Sequence, residues 1–163
     1  MNINVEKAQH KNMSQSLTKI YVHLIFSTKE RFPFIITEWK NNLHAYIVGI
    51  IKKQTDSSFC AVGGTSNHIH VLFCLPKNKA LSEVVQMIKG HSSLWMKQQG
   101  CQKFAWQGGY AAFSVSESVV KTTKEYIVNQ EKHHKKMSFT EEVSKFCALY
   151  KIDKYDEVYF TNE

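Results

Sequence analysis

The amino-acid sequence predicts an α+β fold of the ferredoxin-like type, in which a split β-α-β unit forms an antiparallel sheet with two helices on one face. The hydrophobic periodicity follows the order β-α-β-β-α-β and continues into further helices. A Gly-Gly turn joins the second and third predicted strands as a hairpin. The 163 residues, 43% of them hydrophobic, suffice for one domain with a sizeable core.

The first predicted strand covers residues 19–28, where β-branched and aromatic residues alternate between the two faces of a sheet. His23 falls on the less apolar of these two faces. The first predicted helix begins at Thr37, a good N-cap, and ends near residues 52–53.

A hairpin is predicted next, with a short strand over residues 59–62 and a longer strand that begins at His68. The ferredoxin-like arrangement puts the first and third strands side by side at the centre of the sheet. His23 then becomes a neighbour of His68 and His70, on one face if the register permits, and the face of the sheet opposite the helices is open unless another element covers it.

The remaining elements are three helices, one strand and an aromatic loop. The second helix carries an apolar stripe and stops by Gly100, and a capping-box pattern of Ser138 with Glu141 begins the last helix. In chain order we expect a helix over 81–99, the aromatic loop 104–110, a strand over 110–115, a third helix capped by Ser116 or Ser118 and running through Gln130, and a final helix to about Tyr150.

Composition narrows the functional class. The net charge of +7 and the pI near 9.2 favour a polyanionic partner such as nucleic acid, although a solubilising surface charge is an equal alternative. Arg31 is the only arginine, and lysine suits phosphate backbones better than base edges. No apolar stretch is long enough to span a membrane, and four scattered cysteines without a secretion signal indicate the cytoplasm. We expect residues 1–18 to be a flexible arm and residues 19–163 to be a single domain.

His68 and His70 alternate with an isoleucine on one strand, so both imidazoles project from the same face. Tyr126 and Gln130 are four residues apart on the third predicted helix and share a helical face. Two imidazoles and a glutamine oxygen provide three ligands for a divalent ion, Mg²⁺ or Mn²⁺. A tyrosine hydroxyl beside that ion can attack a phosphorus atom. Each pattern alone is more often structural, and their combination in a basic domain favours chemistry.

Four segments together resemble the single-tyrosine HUH transposases, the small single-strand transposases of simple insertion elements and their repeat-associated relatives. The segments are Asn67–Leu72, Val85–Ser93, Phe104–Tyr110 and Glu125–Gln130, and the resemblance extends from about Lys19 to Phe160. It implies that single-stranded DNA with hairpin-bearing ends is cut and rejoined through a 5′-phosphotyrosine.

The resemblance also implies a role for each central residue. His68 and His70 would be the metal-binding pair, Tyr126 the nucleophile and Gln130 the third ligand. A homodimer is implied as well, with the active site completed in trans by the tyrosine helix of the partner. The connector before this helix, residues 113–118, contains no glycine, and this departs from the flexible connector that such an exchange requires.

Weaker predictions concern the surroundings of the site. His23 is expected either to support the metal-binding histidines from behind or to be an ordinary core histidine. The pair His133-His134 is predicted to be a basic helix end. Lys29 and Arg31, which follow the first strand, are predicted to hold phosphate. Phosphate contacts, with a solvated helix face as the equal alternative, are predicted for Lys89, His91, Ser92 and Ser93.

Other functions fit the same pattern less well. An RNA-binding domain of the RRM type would need aromatic residues where the histidines lie. A replication initiator or relaxase of the HUH class would generally be larger, and in a metal-dependent hydrolase Tyr126 would be dispensable. A domesticated, inactive single-strand binding protein of the same fold is the main alternative, and the presence of all four central residues argues against it.

Overall fold

The computed structural model describes residues 16–55, 59–134 and 137–155, so residues 1–15 of the predicted arm lie outside the described part. Its strands are β1 (Tyr21–Ser27), β2 (Cys60–Gly64), β3 (His68–Cys74) and β4 (Ala111–Val115). Its α-helices are α1 (Thr37–Thr55), α2 (Leu81–Gln98), α3 (Val120–Val128), α4 (Gln130–His133) and α5 (Phe139–Leu149). In these ranges, no helix combines the length and the apolarity that crossing a membrane requires.

The four strands form one antiparallel sheet in the order β2-β3-β1-β4. The central pair is β1 and β3, as the sequence predicts, and Ile25 lies opposite His70 in their register. With α1 and α2 as the two crossover helices, this topology confirms the ferredoxin-like fold.

One face of the sheet carries the larger core. Its strand residues alternate with those of the other face, and α1 and α2 contribute apolar stripes at helical spacing. Both helices therefore lie on the side of the sheet away from His68 and His70. The buried strand residues of this core are Val22, Leu24, Phe26, Ile69, Val71 and Phe73, and the central helix residues are Leu43, Ile47, Ile51, Val85 and Ile88.

The other face of the sheet is covered by the chain's own later helices. Ile127 of α3 packs with Leu72 in one apolar cluster, and Val143 of α5 packs with Ile25 in another. The capping box predicted for the last helix is present, because the Ser138 hydroxyl accepts a hydrogen bond from the backbone N–H of Glu141. The histidine face is therefore enclosed between α3 and α5.

The third helix is shorter than the sequence predicts. We expected it to run through Gln130, but α3 ends at Val128 and Gln130 opens the separate short helix α4. Asn129 has non-helical dihedral angles, and its side-chain amide donates to the carbonyl oxygen of Glu125 at 2.8 Å. An asparagine that competes for helical backbone groups in this way ends a helix. Tyr126 and Gln130 consequently belong to different helices.

Candidate metal and tyrosine site

The two histidines of β3 point from the centre of the sheet into the space beneath α3 and α5. His68 and His70 are 1% and 0% exposed, and their ring centroids are 5.3 Å apart. Their spacing of two residues gives them the same face, as expected for a strand. Neighbouring strands and the covering helices together exclude water from both rings.

His23 holds His70 from the adjacent strand. Its Nε2 lies 2.9 Å from His70 Nδ1, and its own ring is 2% exposed. Burial, followed by the charge of His70, lowers the pKa of His23 to about 3, so the ring is neutral at physiological pH. When His70 Nδ1 donates to His23, the lone pair of His70 Nε2 is directed into the site.

His68 is oriented by the turn that precedes its strand. Its Nδ1 lies 2.8 Å from Asn67 Oδ1 and 2.9 Å from Thr65 Oγ1. Because the amide oxygen of Asn67 only accepts, His68 Nδ1 carries the proton. The Nε2 lone pair of His68 is then also directed into the site.

Two further residues complete a buried cluster with these histidines. His134 Nε2 lies 3.0 Å from His68 Nε2 and 2.9 Å from Glu142 Oε2. His70 Nε2 is 3.3 Å from the same carboxylate oxygen. One donor atom from each of the four residues lies within 4.8 Å of the other three. Such a compact group of imidazoles around a carboxylate can hold a divalent cation.

Tyr126 reaches this cluster from α3. Its hydroxyl donates a short hydrogen bond to Glu142 Oε1, and its ring centroid lies 6.1 Å from that of His70. Burial and the hydrogen bond to Glu142 raise the pKa of the hydroxyl, so Tyr126 is protonated at neutral pH. Two apolar cavities, of about 200 and 300 Å³, lie beside its half-buried ring.

Gln130 lies in the same buried centre although it belongs to α4. It is 1% exposed, and its Nε2 donates to Glu142 Oε1 at 3.2 Å. Its Oε1 is buried and has no hydrogen-bond partner among the described residues. A buried acceptor without a donor is costly, and a metal ion removes that cost.

The electrostatics of the site are dominated by the buried Glu142 carboxylate and by the burial of the His68 and His70 rings. Burial, followed by the charges of neighbouring histidines, lowers the pKa of His68 well below its ordinary value, and burial lowers that of His70. Burial alone would raise the pKa of Glu142, but the hydrogen bond with His134 and the proximity of His70 outweigh it and keep the carboxyl ionised.

The donors fit the divalent metal that the sequence predicts. His68 and His70 offer nitrogen lone pairs, and Gln130 Oε1 is a buried oxygen without a partner. His70 Nε2 is likewise buried without a hydrogen-bond partner in the described part of the chain. Neutral imidazoles favour Mn²⁺ over Mg²⁺, whereas oxygen donors suit both ions.

The predicted phosphate contacts lie in different surroundings. Lys29 is exposed, and Arg31 donates from Nη1 to Thr140 Oγ1 of α5 at 3.2 Å. Lys89 donates to the carbonyl oxygens of Gln107 and Gly109 at 2.6 and 2.7 Å, and thereby holds the aromatic loop. The ammonium group of Lys89 is therefore already engaged within the protein.

The other predicted contacts on α2 face away from the histidines. His91 is exposed and Ser93 is half-buried on this helix. Ser92 is fully buried; its hydroxyl donates to the Ile88 carbonyl at 2.5 Å and accepts from Trp106 Nε1 at 2.9 Å. This hydroxyl joins α2 to the aromatic loop and has no access to DNA in this structure.

Sequence reasoning missed Glu142 and His134. His134 was expected at a basic helix end, but the fold places it against His68 and Glu142. A signal for Glu142 was present, since it lies three residues after Phe139 and four before Phe146, within the apolar stripe of α5. A carboxylate in such a stripe is buried and needs a partner.

Comparisons with known proteins identify the family. The family model for IS200-like transposases matches residues 16–130. A crystal structure of a "putative transposase" from Deinococcus radiodurans R1 is similar, at 25% identity and a TM-score of 0.54, over 74% of this chain and 97% of that chain. A REP-associated tyrosine transposase bound to a REP hairpin is 15% identical with a TM-score of 0.49, over 71% of this chain and 70% of that chain. No curated protein sequence matches the chain. Because the matched range covers most of the sequence, the chain belongs to the family of IS200-like transposases.

Proposed function

We propose that this transposase cuts and rejoins single-stranded DNA through a covalent 5′-phosphotyrosine on Tyr126. The observation that carries the proposal is the approach of Tyr126, on α3, to the buried histidine pair of β3: its hydroxyl donates to Glu142 Oε1, and the other oxygen of that carboxylate lies 3.3 Å from His70 Nε2. With a metal ion bound by His68 and His70, a hydroxyl held by the adjoining carboxylate would be placed to act as a metal-assisted nucleophile.

In the reaction, the Tyr126 oxygen attacks the scissile phosphorus and forms a new ester bond to it. The bond from phosphorus to the 3′ oxygen breaks, and the proton lost by the tyrosine is balanced by the proton gained by the 3′ hydroxyl. One phosphoester replaces another, so rejoining by the reverse reaction needs no external energy source.

The metal centre in this proposal uses His68, His70 and Gln130. A bound Mg²⁺ or Mn²⁺ would neutralise charge that develops on the phosphate oxygens. His23 would fix the tautomer of His70, since its Nε2 lies against His70 Nδ1 at 2.9 Å. Asn67 would do the same for His68 through its Oδ1 at 2.8 Å from Nδ1.

The proposed DNA substrate is single-stranded with hairpin-bearing ends. The net charge of +7 supports a polyanionic partner. Lys29 and Arg31 follow β1 directly, and Arg31 contacts α5, which bears Glu142. These two residues are the strongest of the predicted phosphate contacts, with the exposed His91 and the half-buried Ser93 on α2 as further candidates.

We propose further that the protein is a homodimer that exchanges α3. Within the single chain, α3 lies over its own sheet, and the Lys40–Glu131 ion pair joins α1 to α4. In an exchanged dimer, the helix of the partner would make the same contacts, so exchange preserves the packing that the sequence specifies. A single tyrosine in each chain fits the two strand cuts that transposition requires.

Removal of one oxygen tests the proposed chemistry. The Tyr126→Phe variant should fold and bind single-stranded DNA as the wild type does, because the ring and its apolar contacts remain. With a hairpin-flanked oligonucleotide and Mn²⁺, the wild type should form an adduct that survives denaturation, whereas the variant should form none. Cleavage by the variant at the wild-type rate would identify water as the attacking group and refute the proposal.

A further inference from the structure

We propose that Glu142 of α5 is an anionic ligand of the divalent metal bound by His68 and His70. This inference rests on the proposed function and adds a ligand to it. Glu142 lies outside the region that matches the family model, which ends at residue 130. The metal site would therefore extend into a helix that belongs to the C-terminal part of this chain.

Position is the first argument for this ligand. Glu142 Oε2 lies 3.3 Å from His70 Nε2 and 2.9 Å from His134 Nε2. His134 Nε2 is in turn 3.0 Å from His68 Nε2. Nitrogens of His70 and His134 thus lie beside one carboxylate oxygen, and the donor atoms of all four residues lie within 4.8 Å of one another, so a metal ion among them would meet an oxygen donor.

Charge is the second argument. Glu142 is 1% exposed, and its ion-pair partners in the described part of the chain are His70 and His134. Both partners are histidines, and no lysine or arginine pairs with the carboxylate in the described part of the chain. A buried carboxylate without a cation is costly, and a divalent ion at this point supplies the missing positive charge.

Unsatisfied atoms around the carboxylate are the third argument. His70 Nε2 is fully buried and has no hydrogen-bond partner among the described residues, and the same holds for Gln130 Oε1. Gln130 Nε2 donates to Glu142 Oε1 at 3.2 Å, so the amide both orients the carboxylate and presents its oxygen to the centre. Two orphaned acceptors around an anion constitute an incomplete coordination shell.

Direct measurement of Mn²⁺ binding tests the inference without DNA or catalysis. The EPR signal of free Mn²⁺ gives its Kd for the wild type, Glu142→Gln, Glu141→Gln and His68→Ala. Glu141→Gln is the matched control, because it removes the same charge from the adjacent exposed position and glutamine keeps the capping box. We expect Kd to rise at least about tenfold for Glu142→Gln and for His68→Ala, as for lost metal-site contacts, and to stay unchanged for Glu141→Gln.

The variants separate the inference from the proposed function. If His68→Ala loses Mn²⁺ while Glu142→Gln binds like Glu141→Gln, Glu142 is not a ligand and the proposed function stands. If His68→Ala binds Mn²⁺ like the wild type, the histidine metal site itself is refuted, and the inference falls with it.

A measurement on the unmodified protein covers the case in which Glu142→Gln does not fold. Wild-type crystals soaked in Mn²⁺ should give an anomalous peak in contact with His68, His70 and a Glu142 oxygen. A peak bound by the histidines, with Glu142 outside coordination distance, would overturn the inference. Glu142→Asp, which retains the charge on a shorter side chain, should bind Mn²⁺ more tightly than Glu142→Gln.

Discussion

The close packing of α3, the helix that carries Tyr126, against Gly63 of β2 leads to a specific prediction for the substitution Gly63→Ala. Gly63 lies opposite His70 in the sheet, and the end of α3 crosses directly over it. A Cβ added to Gly63 would lie 1.9 Å from the carbonyl oxygen of Ile127 and 2.7 Å from its carbonyl carbon. Both are backbone atoms, so a change of side-chain rotamer cannot remove the clash.

The size of the clash sets the size of the effect. Ordinary contacts begin near 3.4 Å, so the end of α3 must retreat from Gly63 by about 1.5 Å. Overpacking of this kind costs about 1–3 kcal/mol, which lowers the Tm of a domain of this size by roughly 2–12 °C. Tyr126 precedes Ile127 directly, and a misplacement of about 1 Å reduces a rate roughly 100-fold.

The assay combines thermal unfolding with single-turnover formation of the phosphotyrosine adduct. Gly49→Ala is the matched control, because nothing lies within 4 Å of a Cβ added at this helical position. We expect the control to keep the wild-type rate and to gain about 0.5–1 kcal/mol of stability, since alanine is the better helix former. If Gly63→Ala matched the wild type in both Tm and rate, α3 would not be seated on Gly63 in the active protein.

Two other predictions concern assembly and pH. A mixture of Tyr126→Phe chains with His68→Ala chains should regain cleavage, because an exchanged heterodimer contains one site with both groups intact. A verified heterodimer that does not cleave would show that each tyrosine acts in the site of its own chain. A monomer measured by light scattering would refute the dimer. Burial, followed by the charge of Lys40, lowers the pKa of His44 to about 4 in the folded protein. The His44 ring is therefore protonated in the unfolded chain at a higher pH than in the folded one, so the free energy of unfolding decreases as the pH drops from about 6.5 towards 4. Between pH 7 and pH 5 in urea titrations, His44→Leu should lose about 2 kcal/mol less stability than the wild type, and an equal loss would contradict the assignment.

The sequence contained enough information for the sheet and its two faces. The alternation of residues in β1 and β3 separates the apolar core face from the face with His23, His68 and His70, but it leaves the pairing register open to shifts of two residues. The end of α3 was harder to predict. The residues that follow Asn129 in the sequence are polar and offer no hydrophobic spacing that marks a helix end, whereas in the structure the Asn129 side chain donates to the Glu125 carbonyl where α3 stops.

Contacts between distant segments limited what could be predicted at the site. Glu142 is separated from His70 by a helix, a strand, the aromatic loop and the tyrosine segment, and no spacing rule relates such positions. Ser92 illustrates the opposite error, because a serine in a basic helix was expected to contact phosphate. Its position in the buried stripe with Ile88 and Met96 was the better guide.

On the histidine face of the sheet, the polar centre of the site is surrounded by an apolar rim, formed by the clusters around Ile127 and Val143. Both covering helices are needed, because each contributes one part of this rim. Ile127 fixes α3 in one apolar cluster and Val143 fixes α5 in another. Each helix then brings one oxygen-bearing side chain, Tyr126 or Glu142, to the shared centre. Because the rim supplies the packing, each polar group can be replaced by a near-isostere while the contacts that fix its helix remain. For this physical reason, Tyr126→Phe and Glu142→Gln test the chemistry of the site separately from the stability of the fold.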